Sequence, residues 1–93
     1  MSSPGGAATQ IFSPKFDQRF YALPVIVQTR IQKRIDELGQ DLRNFQHQRL
    51  QGVDAFKLRV GDYRIIYEFN IDRNELSLIT VGNRRDIYKK TFN

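Results

Sequence analysis

The plainest pattern in the chain is a period of two between Ala55 and Phe69. Phe56, Leu58 and Val60 alternate with Lys57 and Arg59. Tyr63, Ile65, Tyr67 and Phe69 then alternate with Arg64, Ile66 and Glu68. Successive strand side chains point to opposite faces, so each run predicts a strand with one apolar face. Gly61-Asp62 between the runs predicts a two-residue hairpin turn, because glycine takes the positive φ such a turn demands. The turn fixes the register: Val60 opposite Tyr63, Arg59 opposite Arg64, Leu58 opposite Ile65, and Lys57 opposite Ile66.

Upstream the period changes. Val27, Ile31, Ile35, Leu38 and Leu42 recur every three or four residues, the stripe of an amphipathic helix starting at Pro24. Gly39 is a possible end to it, although Leu42 prolongs the stripe. Ser13-Pro14 predicts another helix start, with Phe16, Phe20 and Leu23 on one face and Pro24 interrupting. That helix is expected over Pro14 to Ala22, antiparallel to its successor. Thr9 to Phe12 can supply a short strand. Arg43 to Gln51 lacks periodicity and reads as a loop, with Phe45 and Leu50 turned inward and His47 in solvent. Asn70 to Asn74 is a turn, and Glu75 to Gly82 a further strand. The sum is an α+β fold, a helical hairpin packed on a twisted, mostly antiparallel sheet, in a single domain over residues 10–93. The preceding MSSPGGAAT buries too little to offset its ordering entropy and is expected to be a disordered extension.

Composition narrows the function. There is no cysteine and only one histidine, His47, so neither a thiol nucleophile nor a metal site is expected. No cofactor is expected either. No apolar run reaches membrane-spanning length and no secretory signal opens the chain, so a cytoplasmic protein is expected. The net charge of +5 suits a polyanionic partner.

The register gives that charge a place. It sets Lys57, Arg59 and Arg64 on one face, with two arginines directly opposite each other. Like charges across strands are destabilising. Such a face is either a solvated surface or an anion site, most simply for phosphate. A second basic segment, Arg84, Arg85, Lys89 and Lys90 with Tyr88 among them, follows Gly82. If the last strand returns beside the hairpin, Gly82 brings this cluster close to the first.

The run FKLRVGDYRIIY followed by ITVGNRRDIY resembles the RelE/ParE superfamily of toxin–antitoxin toxins, most closely its RelE branch. SPKF before the helix pair and RLQG before the hairpin resemble it too, so the likeness covers about Ile11 to Lys90. It implies a RelE-like fold and a metal-independent endoribonuclease that cuts mRNA in the ribosomal A site. The substrate's own 2′-hydroxyl would attack the adjacent phosphate, leaving a 2′,3′-cyclic phosphate and a 5′-hydroxyl. By this resemblance Lys57 is the base or charge stabiliser, Arg64 holds the scissile phosphate, Arg84 assists the leaving group, and Tyr88 stacks on the nucleotide. Arg59, Arg85 and Lys89 are expected to contact RNA. Lysine and arginine are poor bases, so charge stabilisation and positioning rank above acid–base work. The implied partners are mRNA, the ribosome and an acidic, partly helical antitoxin on a separate chain. Two positions depart from the pattern: Asn83 stands where many relatives have histidine, and Ala55 where some have lysine. A ParE-like gyrase inhibitor and a non-catalytic basic binding module remain as alternatives.

Overall fold

The computed structural model describes residues 6–83. Seven elements follow in order: β1 (Thr9–Phe12), α1 (Pro14–Tyr21), α2 (Val25–Gln40), β2 (Gln48–Arg49), β3 (Phe56–Val60), β4 (Tyr63–Asn70) and β5 (Glu75–Asn83). The strands form one sheet in the order β1-β5-β4-β3-β2. β3, β4 and β5 make an antiparallel meander, β2 joins antiparallel, and β1 runs parallel to β5.

The hairpin has the register its turn predicts, with Arg59 opposite Arg64 and Lys57 opposite Ile66. Gly61 sits at φ 60°, while Asp62 keeps a negative φ. Positive φ at the first central residue alone is the type II′ turn, which matches the right-handed twist of the strands.

α1 begins where Ser13 caps it, its hydroxyl accepting from the Phe16 N–H at 3.0 Å. The same hydroxyl donates to the Ile79 carbonyl, tying the helix start to β5. α1 ends at Tyr21, one residue earlier than expected, and Ala22 is its C-cap. In α2 the stripe is buried as its period requires, with Ile31, Ile35 and Leu38 fully enclosed. Gly39 does not end the helix; it is helical and buried, and its carbonyl accepts from the Ala8 N–H at 2.8 Å. Leu42 is buried just beyond the helix. These residues meet Phe16, Phe20, Leu58, Ile65, Tyr67, Leu76, Leu78 and Val81 in the main core.

Three features depart from the sequence expectations. Ala8 is buried, and the Gly6 carbonyl accepts from the Asn74 side chain, so packed chain starts before Gln10. The outer face of the sheet is not purely polar, since Ile66, Leu50 and Ala55 form a second small core there with Val53 and Ile79. The β4–β5 register also slips between Ile66 and Tyr67, which face Thr80 and Leu78. Ile79 is therefore the extra residue of a bulge, and the slip returns Val81 to the main core.

Candidate phosphate site

β4 is covered on both sides, and Arg64, Ile65, Ile66 and Tyr67 are buried in succession. Arg64 is only 8% exposed. A buried guanidinium ordinarily has an acidic partner, because an unpaired charge out of water is costly. Arg64 has none among the described residues, where the ion pairs are Arg34–Glu37 and Arg49–Asp54. Its contacts are long ones, donating to the Tyr63 carbonyl at 3.3 Å and to the Gly61 carbonyl at 3.5 Å. Arg59 reaches the same Gly61 carbonyl at 3.4 Å. Two opposed guanidinium groups thus lean on one carbonyl dipole at the turn.

Lys57, Arg59 and Arg64 line one concavity of about 400 Å³. It opens beside β3 where β2 stops, since β2 pairs only with Phe56 and Lys57. Leu58 forms part of its floor, and Arg34 reaches in from α2. Phe45, Gln46 and Gln48 complete the wall, and no carboxylate lines it. The like-charge pairing that weakens the hairpin therefore gathers positive charge at a cleft of ligand size.

Sequence reasoning missed Arg34, Phe45, Gln46 and Gln48. A signal was present, because Phe45 and His47 face inward while Gln46 and Gln48 face out, the alternation of extended chain. The solvated placement expected for His47 is corrected. His47 is half-buried, stacked on Phe69 with ring centroids 3.9 Å apart and edge-on to Phe56 at 5.7 Å. Its Nε2 lies 2.8 Å from the Leu42 carbonyl, which can only accept. Nε2 therefore donates there, and Nδ1 is hydrogen-bonded to the Tyr67 hydroxyl at 2.7 Å. Burial pushes the Tyr67 phenol above its ordinary value, so it keeps its proton. This chain of bonds anchors the cleft wall to the core.

Gly82 stands opposite Arg64 in β4–β5, the register by which the second basic segment was expected to approach the first. Arg84, Arg85, Tyr88, Lys89 and Lys90 lie outside the described residues. Among the described residues no group of three or more His, Cys, Asp or Glu could share a metal ion. No described helix is long and apolar enough to cross a membrane.

Residues 11–88 match the ParE toxins of type II toxin–antitoxin systems, a span that takes in the helices, the hairpin and the last strand. The chain belongs to the ParE toxin family. Its fold is that of solved RelE structures, as the RelE/ParE resemblance implied. The toxin–antitoxin complex RelBE2 from Mycobacterium tuberculosis aligns at TM-score 0.69 and 20% identity, covering 85% of this chain and 93% of that one. The intact RelBE complex of E. coli gives TM-score 0.71 and 21% identity, covering 83% and 96%. The RelB–RelE complex of Methanococcus jannaschii gives 0.68 and 24%, covering 87% and 98%. No curated protein matches the chain by sequence. As a member of the ParE toxin family the chain is a toxin of RelE/ParE type, and the cation-lined cleft is a feature of its own residues.

Proposed function

We propose that this toxin is a metal-independent endoribonuclease that cleaves mRNA in the ribosomal A site. The observation that carries the reading is Arg64: a buried cation without an acidic partner among the described residues, in the wall of a cleft that Lys57 and Arg59 also line. A scissile phosphate supplies the missing negative charge, and the guanidinium fork matches its oxygens.

In the reaction the ribose 2′-oxygen attacks the adjacent phosphorus and the bond to the 5′-oxygen breaks. The 2′-hydroxyl proton leaves, and the departing 5′-oxygen takes one up. Arg64 holds the phosphate through the dianionic phosphorane. Lys57 lies next to it on the same face and stabilises the charge on the attacking oxygen. Arg59 carries the neighbouring backbone. Arg84 is assigned to the leaving oxygen, Tyr88 to stacking, and Arg85 and Lys89 to RNA backbone. A preorganised positive site of this kind needs no strong base, since its donors already face the charge that develops. A cognate antitoxin, acidic and partly helical, completes the reading, with the toxin acting in the cytoplasm where ribosomes work.

A second reading has support in the family description itself, which names ParE toxins. A gyrase inhibitor would have no use for a cleft that gathers Lys57, Arg59 and a buried Arg64 with no carboxylate among its lining residues. Mapping the 5′ ends of cellular mRNA after induction separates the two. Cuts within codons that vanish when translation stops are expected, and Arg64→Ala should reduce them about 100-fold or more. Intact mRNA alongside damaged DNA would replace the nuclease reading with the gyrase one. A soluble wild type without effect on growth would point to a non-catalytic module.

A further inference from the structure

Half of the residues that line the cleft, Phe45, Gln46, Gln48 and Leu58, carry no charge. Phosphate needs donors, and Lys57, Arg59 and Arg64 supply them. Gln46 and Gln48 each offer an amide donor and a carbonyl acceptor, and an acceptor facing an anion is unfavourable. A nucleobase edge presents both kinds of group. Phe45 faces inward and packs on the core, yet it also lines the cleft, so the part of its ring left uncovered offers a base an apolar contact.

We propose that Phe45, Gln46 and Gln48 form a nucleobase subsite beside the phosphate-binding cations, so that this segment sets which nucleotide the cleft accepts. The inference rests on the phosphate reading of the cleft and adds its specificity. Gln48 pairs with Lys57 across β2 and β3, which sets a base-reading amide next to a phosphate-binding ammonium. Phe45 is fixed from behind, its N–H donating to the Asp41 carbonyl at 2.9 Å. His47, held by Tyr67 and the Leu42 carbonyl, keeps the residues on either side of it facing the cleft. The wall is thus held in place before a ligand arrives, which limits the ordering cost of binding. The cleft, about 400 Å³, falls within the usual range for small-ligand sites.

Calorimetric titration of the full chain with inorganic phosphate, ribose 5-phosphate and the four nucleoside 5′-monophosphates tests this. At least one nucleotide should bind about tenfold more tightly than ribose phosphate, the scale of one stacked base. Gln46→Ala with Gln48→Ala should shrink that preference while leaving the affinity for inorganic phosphate in place. Nitrogen-15 NMR gives a second readout, since both glutamine side-chain amides should shift with the favoured nucleotide and not with phosphate. Phosphate binding with no gain from any base, or a preference that survives in the double variant, overturns the subsite and leaves the phosphate reading standing. If neither phosphate nor any nucleotide binds, both fall together.

Discussion

Two buried polar residues on the outer face of the sheet, Arg64 and Thr80, have opposite standing. Arg64 sits at a cleft, where a ligand can satisfy it. The Thr80 hydroxyl is fully enclosed and has no hydrogen-bond partner among the described residues. An unsatisfied buried hydroxyl costs about 1–3 kcal/mol, whereas an apolar group of the same shape carries no such cost. Thr80→Val is therefore expected to raise stability by about 1 kcal/mol. Urea denaturation should show a higher midpoint at unchanged slope. A lower midpoint would mean that the hydroxyl is bonded in solution and that its removal leaves a partner stranded.

At the scale of elements, two glycines should respond in opposite ways to alanine. Gly39 lies inside α2, and a Cβ there would meet Ala8 and Leu76 at 3.8 Å, ordinary contact. Alanine at that position should stabilise by about 0.5–1 kcal/mol through helix propensity. Gly61 holds φ 60° in the turn with open space around it, so alanine there meets backbone strain alone. It should destabilise by about 1–2 kcal/mol. Thermal melts of the two variants check both signs at once. The same contrast shows what could be read beforehand. The hairpin register follows from local rules, a glycine turn and a period of two, and those rules place Lys57, Arg59 and Arg64 together. The stripe of α2 follows from its own period. The bulge at Ile79 was not legible, because it answers to packing on both faces of β5 at once. The setting of His47 was not legible either. Alternation with its ring neighbour Phe45 could have turned it inward, but its other neighbours Phe56, Tyr67 and Phe69 come from β3 and β4, and nothing near it in sequence announces them. Arg34 entered the cleft by the same route, from the polar flank of a helix whose apolar stripe gave no hint of it.

At the scale of the molecule, a net charge of +5 draws any nucleic acid toward the surface, but only charges that meet phosphates release counterions. This separates a localised site from diffuse attraction. For single strands the logarithm of affinity falls by about 0.7 per phosphate contact for each decade of salt. Lys57, Arg59 and Arg64 alone should make affinity for a short single-stranded RNA drop about twentyfold between roughly 50 and 200 mM salt, and contacts by Arg84, Arg85 and Lys89 would steepen the fall. Fluorescence anisotropy against salt concentration measures the slope. Arg59→Ala, on an exposed position of the hairpin, should make the slope shallower by about 0.7. Removing Lys33, exposed on α2 and outside the lining of the cleft, should leave it unchanged. Equal responses to the two substitutions would mean that RNA is held by the overall charge. The grouping of the hairpin cations would then be a solvated face and nothing more. Unequal responses would tie the electrostatics of binding to the hairpin, where the fold sets Arg59 against Arg64.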